Sequence, residues 1–382
     1  MIGRRRLVLA GAAATLTGLL AGPRNSAASD VARIETLAEN ARAQLKAPAM
    51  AYGLIRDGKV LLVRGLGSDA SGLRSVVNSR TIFNFGAASR LFVATALAQK
   101  VEQGRLRLNQ PLLDILPRLP INDERARSIT IEHVLTSSSG LPDVKDFSWE
   151  RPEIDDAALQ RYLSALPEVA LRFAPGRGFA PSSLGFSLLA RVLEVVDEAP
   201  FETVIHRSIL APLQMTRSTL LYAGEGTQSV APHVVDARGR AMPVEPFPYN
   251  RPHAGSSTMF SCVDDMLRWI QVNLGEGTLD GVRIMSAQSA RNLRTARSID
   301  IESKGFPTGV APALGWYVLP RSGRQIIAQG SSSFGFAGLC LFCPDESFGL
   351  VAVANSSNPQ GPDSLRSFAL TAIDEGLLQG TR

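Results

Sequence analysis

Extended, apolar segments lie at both ends of the chain, and this placement constrains the fold more than any other feature. Near the start, "AMAYGLIRDGKVLLVRGLG" holds two apolar runs joined by Asp57-Gly58, a dipeptide typical of tight hairpin turns. Near the end, "LGWYVLP", "QIIAQG", "FAGLCLFC" and "FGLVAVANS" are separated by turn residues such as Ser322-Gly323 and Pro344-Asp345. These patterns predict a sheet whose strands come from both termini.

The middle of the chain, roughly residues 76 to 300, carries helical patterns joined by long connections rich in proline and glycine. One helix is predicted from about Ala87 to Gln103, and Gly104 suits its C-terminal cap. Amphipathic helices also precede the first strands and follow the last one. The predicted α/β architecture is therefore an antiparallel sheet flanked by terminal helices, with a large, mostly helical insertion. Its parts are a sheet subdomain from residues 29–75 and 300–382 and a helical subdomain from residues 76–299.

The first 28 residues have the features of an export signal. Arg4, Arg5 and Arg6 precede an apolar stretch from Leu7 to Leu20, and small residues suited to cleavage follow at "NSAAS". The paired arginines are compatible with the twin-arginine route. The segment predicts a periplasmic or secreted protein whose mature domain is residues 29–382. The alternative is an uncleaved membrane anchor.

The charge of the chain gives no support to a nucleic-acid partner. The formal net charge is +5, but residues 1–28 contribute four arginines and no acid, so it falls to about +1 without them. We identify no other stretch long enough to span a bilayer. The expected partner is a small molecule, with a protein partner as the alternative.

The three cysteines are interpreted as structural. Cys340 and Cys343 form a Cys-x-x-Cys pair, which in some proteins binds a metal or acts in redox chemistry. The surrounding "FAGLCLFCPD" is strand-like, however, and positions three apart on a strand point to opposite faces. Cys262 stands alone, and no second pair of Cys or His lies nearby. We therefore expect no metal and no cofactor.

Seven segments, spread in order over roughly residues 31 to 380, share one resemblance. Together they resemble the serine β-lactamase and penicillin-binding-protein superfamily, nearest its class C β-lactamase and esterase branch. The resemblance implies the β-lactamase-like (DD-peptidase) α/β fold and the activity of an amide or ester hydrolase or an acyl transferase. The segments are "TIFNFGAASRLFVATALAQKVEQGRLRLNQPLLDILP", "ITIEHVLTSSSGLPD", "LRFAPGRGFAPSSLGFSLLARVLE", "APLQMTRSTL", "GSSTMFSCVDDMLRW", "ALGWYVLP" and "FGFAGLCLFCPDESFGLVAVANSSN".

The first catalytic motif of this family is Ser-x-x-Lys at the start of the central helix. Its spacing puts both side chains on one helical face, so that the lysine activates the serine hydroxyl. The matching positions here are Ala87-Ala88-Ser89-Arg90. Ala87 offers no nucleophile, and Arg90 cannot readily act as a base because its pKa lies far above working pH. No serine anywhere in the chain stands three residues before a lysine.

The other two motifs of the family are altered as well. Pro181-Ser182-Ser183 stands in place of Tyr-x-Asn, and Gln329-Gly330-Ser331 stands in place of Lys-Thr-Gly or His-x-Gly on the strand that faces the nucleophile. Proline relays no proton, and glutamine carries no charge. An oxyanion-hole strand is expected around Ser333 to Phe336. Because all the reactive groups are absent together, we predict a degenerate family member that is not a β-lactamase.

The first functional hypothesis is a non-hydrolytic pseudoenzyme that binds a small, anionic ligand in the former active-site cleft. Arg90 would hold a carboxylate together with the N–H groups at the start of its helix. The alternative role of Arg90 is an ion pair with a nearby acid. The residues expected to line the site are Arg90, Ser182, Ser183, Gln329, Ser331 and Ser333.

Two other hypotheses remain open. One is an esterase, amidase or acyl transferase with relocated residues, using Ser89 or the run Ser331-Ser332-Ser333 as nucleophile and His253 as base. At about 100° per residue, Ser89 points roughly 200° around the helix from Ala87, so it should miss the cleft. The alternative interpretation of His253 is a solvated residue in a loop, without a catalytic role. The last hypothesis is a scaffold or partner subunit, although no charge stripe or heptad supports it.

Overall fold

The computed structural model describes residues 27–68, 76–167, 169–222, 229–298, 309–359, 361 and 363–377, and the following account concerns these residues. The helices are α1 (Ala27–Leu45), α2 (Ser89–Glu102), α3 (Leu112–Ile115), α4 (Ile131–Leu135), α5 (Ala158–Ser164), α6 (Ser183–Asp197), α7 (Phe201–Ile205), α8 (Ala254–Ser257), α9 (Val263–Leu274), α10 (Ala287–Arg294) and α11 (Ser364–Asp374). The predicted export signal lies almost wholly outside the described residues.

The strands include short pairs within the helical region as well as the main sheet. They are β1 (Ala49–Arg56), β2 (Lys59–Gly67), β3 (Phe83–Asn84), β4 (His233–Val235), β5 (Ala241–Pro243), β6 (Phe260–Ser261), β7 (Thr278–Leu279), β8 (Val282–Arg283), β9 (Ala311–Pro312), β10 (Tyr317–Arg321), β11 (Arg324–Ser333), β12 (Phe336–Cys343) and β13 (Phe348–Ala354). The two-residue strands β3 and β6 to β9 were not predicted from the sequence.

The main sheet has seven antiparallel strands in the order β2-β1-β13-β12-β11-β10-β9. Strands from the two termini meet where β1 pairs with β13, so the predicted sheet is confirmed. Three two-residue turns connect neighbouring strands: Asp57-Gly58, Ser322-Gly323 and Phe334-Gly335. Both residues of each turn have positive φ, which matches the twist of the flanking strands.

The two faces of the sheet bury two separate hydrophobic clusters. On one face α1 and α11 cover the sheet, and the ring of Tyr52 meets that of Phe368 edge-on with centroids 5.4 Å apart. On the other face lie α9 and the helical region, with α2 at its centre. Cys340 belongs to this second cluster and Cys343 to the first. The expectation that these two cysteines point to opposite faces is therefore confirmed.

Helix α2 is the central helix and places the candidate site. It is buried along most of its length because its sequence is apolar on nearly every side. A short 3₁₀ turn, Gly86–Ala88, precedes it, and Gly104 follows its end with a φ of +69°. The predicted helix is thus confirmed, with its first two residues in the 3₁₀ turn. That turn lies directly against β11 and β12.

Candidate functional site

The 3₁₀ turn before α2 and the strand β11 form the two sides of a cleft at Ala87. The Gln329 side-chain amide donates to the Ala87 carbonyl over 3.3 Å, and the Ala87 N–H donates to Ser331 Oγ over 3.4 Å. Any Cβ at Gly86 would approach Ser331 Oγ to 2.4 Å, so this close approach requires glycine. The sequence-predicted residues Ala87, Gln329 and Ser331 are therefore brought together.

Arg90 lies one turn further along α2 and is only partly exposed. Its Nη2 donates to Ser183 Oγ over 3.2 Å, and its guanidinium lies 5.0 Å from the centroid of the Phe186 ring. Its Nε has no hydrogen-bond partner in the described part of the chain. Burial lowers the pKa of Arg90, and Tyr317 and the carboxylate of Asp143 oppose that effect.

The alternative role suggested for Arg90, an ion pair with a nearby acid, is not present among the described residues. Asp143 is the acid that acts on it electrostatically, but Asp143 Oδ1 accepts from the N–H groups of Ser183 and Val144 at 2.7 and 2.9 Å. The carboxylate is thus held at the start of α6. The guanidinium keeps its charge without a directly bonded counter-ion.

The Pro181-Ser182-Ser183 segment forms the start of α6. Ser182 is its N-cap, accepting from the Gly185 N–H at 3.0 Å and donating to the Pro142 carbonyl at 2.7 Å. The hydroxyl of Ser182 is therefore engaged in capping, whereas Ser183 directs its hydroxyl to Arg90. Pro181 is exposed and stands at the rim of the cleft.

Part of β11 presents an open edge to the cleft. Strand β10 pairs with β11 only as far as Ala328, while β12 pairs along its other side to Ser333. Because the two-residue turn makes Ser333 and Phe336 a hydrogen-bonded pair, Gly330 and Ser332 direct their backbone N–H and C=O groups away from β12. Those groups face no partner strand among the residues with described coordinates.

The oxyanion-hole strand expected around Ser333 to Phe336 is wrongly placed. Phe334 and Gly335 form the turn between β11 and β12, with φ of +58° and +81°, so they cannot form a straight strand edge. The backbone that faces Ala87 lies two to four residues earlier. Ser333 itself ends β11.

Neither Ser89 nor His253, two of the groups considered for relocated catalysis, is exposed to the cleft. Ser89 is fully buried, donating to the Gly86 carbonyl at 3.1 Å and accepting from the Thr258 N–H at 2.9 Å. It misses the cleft, as its helical position predicts. His253 is 2% exposed. It is therefore neither a solvated loop residue nor a base in an open cleft. Burial lowers its pKa to about 4.

An aromatic cluster that the sequence analysis missed joins the two walls of the cleft. Phe334, at the β11–β12 turn, meets Phe147 and Trp149 with ring centroids 4.8 and 4.5 Å away. Phe147 also packs on the His253 ring at 4.7 Å, and Tyr162 packs on it at 4.9 Å. The only signal was "DFSWE", two aromatic residues in a polar loop, and no periodicity links that loop to a distant hairpin.

A cavity of about 440 Å³ adjoins the open edge of β11. Phe179, Pro181, Tyr317, Ser331 and Ser332 line the part nearest the cleft. Tyr317 precedes the open edge in the neighbouring strand β10. Ser331 belongs to both places, because it lines this cavity and also contacts Ala87.

The sequence model of the Beta-lactamase family matches residues 34–374. The chain belongs to the beta-lactamase family. Within this family, Protein flp of Staphylococcus aureus (strain MRSA252) is 23% identical over 332 residues, covering 86% of this chain and 64% of that protein. Penicillin-binding protein 4 of Amycolatopsis lactamdurans is 27% identical over 269 residues, 66% of each chain. The chain spans about two thirds of the length of these relatives.

Solved structures show the same fold at low sequence identity. An octameric penicillin-binding protein homologue from Pyrococcus abyssi superposes with a TM-score of 0.74 at 22% identity, covering 91% of this chain and 78% of that one. A class C β-lactamase superposes with a TM-score of 0.73 at 19% identity, covering 92% and 97%. The resemblance predicted from the seven segments is confirmed for both family and fold.

The described ranges contain neither a metal-ligand cluster nor a helix able to span a membrane. No group of three or more His, Cys, Asp or Glu side chains is arranged there to hold a metal ion. No helix in those ranges combines the length and the hydropathy that crossing a membrane requires.

Proposed function

We propose that this member of the beta-lactamase family is a non-hydrolytic binding protein that holds a small anionic ligand in the family's active-site cleft. The observation that carries the proposal is the charged guanidinium of Arg90, which bonds a serine hydroxyl and no carboxylate in the described chain. A ligand carboxylate would supply the missing counter-charge. Charge-assisted hydrogen bonds of this kind are among the stronger polar contacts in proteins.

The same residues argue against acyl-enzyme chemistry. Ala87 has no nucleophilic atom, and Arg90 holds its proton at any working pH. Pro181 has neither a phenol nor an N–H, and the side-chain amide of Gln329 already donates a hydrogen bond to the Ala87 carbonyl. An acyl-enzyme needs a nucleophile together with a base that activates it. Ser89 is buried, and its hydroxyl is already bonded to two backbone groups.

The position of Arg90 favours an anion for a second reason. It stands in the first turn of α2, a helix of 14 residues, where the N–H ends of the peptide dipoles add positive potential. The Ala87 N–H points towards β11, and its one hydrogen bond within the described residues is to the hydroxyl of Ser331, at a long 3.4 Å. A carboxylate oxygen is a stronger acceptor than this hydroxyl and would displace it.

Calorimetric titration with a matched ligand pair tests the proposal. N-acetylglycine and N-acetylglycinamide differ in one negative charge, and we expect only the acid to bind. Arg90→Gln should weaken binding by about tenfold to a hundredfold, which corresponds to one charge-assisted contact. Arg127→Gln removes an exposed arginine elsewhere and serves as the matched control. Equal binding of acid and amide, or no effect of Arg90→Gln, would refute the anion site.

Export is proposed on the sequence of the first 28 residues alone. Arg5 and Arg6 precede the apolar stretch, and their replacement by lysine should block a twin-arginine route. Cell fractionation of the full-length protein and of the Arg5→Lys/Arg6→Lys variant tests this. We expect the unchanged chain outside the cytoplasm and the variant inside it.

A further inference from the structure

The aromatic cluster that joins the two walls of the cleft contains a histidine that the proposed anion site does not use. His253 ends a 3₁₀ turn, Arg251–His253, and its ring lies against the rings of Phe147 and Tyr162. The residue is 2% exposed, and its Nδ1 has no hydrogen-bond partner among the described residues. In this position the imidazole has to be neutral, because its charged form would be desolvated without a bonded counter-ion.

Phe147 belongs to a long connection without helix or strand, residues 141–157, here called the cleft loop. The segment that carries His253 anchors the middle of this loop. The Asn250 side-chain amide donates to the Phe147 carbonyl at 2.9 Å, and its oxygen accepts from the Glu153 N–H at 2.9 Å. Loops of this length are uncommon in compact domains and usually carry a function.

The cleft loop also reaches both walls of the cleft. The carboxylate of Asp143 accepts from the Ser183 N–H at 2.7 Å, and Ser183 Oγ accepts from Arg90. On the other wall, the Phe334 ring at the β11–β12 turn meets Phe147. Phe334 has a φ of +58°, which is unfavourable for a bulky side chain. A displacement of Phe147 therefore disturbs the turn after β11 and the partner of Arg90 together.

The charged groups around the imidazole stabilise its protonated form only weakly while it stays in the cluster. The carboxylates of Asp146 and Asp143 act on it across space, and both residues are exposed on the cleft loop. Tyr162 remains a neutral phenol because burial raises its pKa to about 12. Arg251 is already paired with Glu202.

The helices that pack on the 3₁₀ turn are α5, α6 and α8. Helix α8 has no charged residue. The charged residues of α5 and α6 are held in ion pairs: Arg161 with Asp155, Arg191 with Glu194, and Asp197 with Lys100. The counter-charges open to a protonated His253 are therefore Asp143 and Asp146, and the ring reaches them best by leaving the cluster.

We propose that this aromatic cluster is an acid-released latch on the ligand cleft, a regulation that rests on the proposed anion site. While His253 is neutral, the packed rings hold the cleft loop against the β11–β12 turn. When His253 takes up a proton, its ring turns out towards Asp146 and water, and Phe147 separates from Phe334. The bound anion then leaves.

The driving force is the difference in proton affinity between the closed and the open cluster. The pKa of His253 is about 4 in the closed cluster, whereas in water a histidine has its ordinary value of 6.5. The ratio of open to closed molecules is therefore lowest above pH 6.5 and rises by roughly 150-fold as the pH falls to 4. An open state of about 1% at neutral pH would become the major state at pH 4.

Hydrogen exchange of the ligand-free mature protein, read by mass spectrometry, tests the latch on peptides that contain Glu153. Exchange is corrected for the intrinsic rate at each pH. In the parent we expect protection to fall by roughly a hundredfold from pH 7 to pH 4. His253→Phe keeps a ring that takes up no proton and should retain its protection, whereas the control His206→Gln, at an exposed histidine, should behave as the parent. Equal loss in His253→Phe, or no loss in the parent, overturns the inference.

Phe334→Gly tests the other side of the latch in a turn whose backbone suits glycine. Its melting temperature should therefore stay close to that of the parent. We expect the cleft loop of this variant to exchange faster than that of the parent already at pH 7. Unchanged protection would show that the ring of Phe334 does not hold the loop, which also overturns the inference.

Titration with N-acetylglycine at pH 7 and pH 4 connects the latch to the cleft. The carboxyl group of the ligand titrates equally in every sample, so the comparison with His253→Phe isolates the protein. We expect the parent to lose about twofold to threefold more affinity than His253→Phe. Equal losses keep the anion site and overturn the inference. The predicted exchange pattern without binding at either pH supports the latch and refutes the anion site.

Discussion

The backbone N–H of Ala87 donates a hydrogen bond to the hydroxyl of Ser331 over 3.4 Å, and this contact joins the start of α2 to β11. Together with the bond from Gln329 to the Ala87 carbonyl, it closes the floor of the cleft with neutral groups only. Arg90, one turn further along α2, places a charge beside this neutral floor.

Restoring the nucleophile alone should not restore chemistry. In Ala87→Ser the new hydroxyl would face Arg90, which cannot take its proton, and Pro181 cannot relay one. We expect Ala87→Ser to hydrolyse p-nitrophenyl acetate no faster than the unchanged protein, with turnover followed by absorbance.

The control for this experiment is Ala87→Gly, which changes the same site without adding a hydroxyl. Both variants should keep the melting temperature of the parent within a few degrees. Substantial turnover by Ala87→Ser, absent from Ala87→Gly, would show that another base reaches the site.

Removing the charge of Arg90 should not weaken the fold. The guanidinium is largely desolvated, its Nε is unpartnered, and no directly bonded carboxylate compensates its charge in the described chain. Arg90→Leu loses the bond to Ser183 and the contact with Phe186 but also loses this desolvation cost. We expect the free energy of unfolding in urea to stay unchanged or to rise by up to about 1 kcal/mol. A loss larger than about 2 kcal/mol would show that Arg90 is structural.

Removing the charge of Arg251 should weaken the fold, because Arg251, unlike Arg90, forms a buried ion pair. It bonds Glu202 at 2.9 and 3.1 Å, and both side chains are 9% exposed. Arg251→Met leaves the Glu202 carboxylate buried without its partner, so we expect a loss of about 3–5 kcal/mol in urea unfolding. The double variant Arg251→Met/Glu202→Leu should recover much of that loss. Equal losses in the single and double variants would contradict this account of the pair.

Stability should fall in mild acid because of His253. Its pKa is ordinarily 6.5 and is lowered to about 4 in the fold, mainly by burial, with Asp146 and Asp143 opposing the effect. The unfolded chain therefore binds a proton more readily, so the contribution is complete above pH 6.5 and is lost as the pH falls towards 4. The full loss is about 3 kcal/mol.

His253→Phe keeps an aromatic ring against Phe147 and removes the titration. Chemical denaturation at intervals from pH 7 to pH 4 should show a smaller loss in this variant than in the parent. His133, whose pKa burial also lowers, is present in both proteins and leaves the difference unaffected. Parallel stability curves for the two proteins would rule out His253 as the source.

Much of the fold was accessible from the sequence because its signals are local. The glycine turns at Asp57-Gly58 and Ser322-Gly323 set hairpins, and the apolar sequence of α2 predicts a buried helix. The placement of Ala87, Gln329 and Ser331 at one site was implied by the resemblance to the family's three motifs. The position of Cys340 and Cys343 on opposite faces of the sheet follows from the alternation of side chains along a strand.

The remaining features of the site depend on contacts between distant segments. Ser182 was expected to line the pocket, but its hydroxyl caps α6, which is visible only once Pro142 is placed beside it. The burial of His253 depends on Phe147, about a hundred residues away. The cavity beside β11 depends on where the pairing of β10 with β11 ends, and no pattern in the strand sequences indicates that residue.

The central claim is that this cleft binds without forming an acyl-enzyme, and intact-mass spectrometry tests it most directly. The mature protein is incubated with benzylpenicillin and, separately, with a fluorophosphonate, and an active serine hydrolase of the same fold is treated in parallel. The account predicts an unchanged mass for this protein and a stoichiometric adduct for the hydrolase. A stoichiometric adduct mapped to a serine of this chain would contradict it.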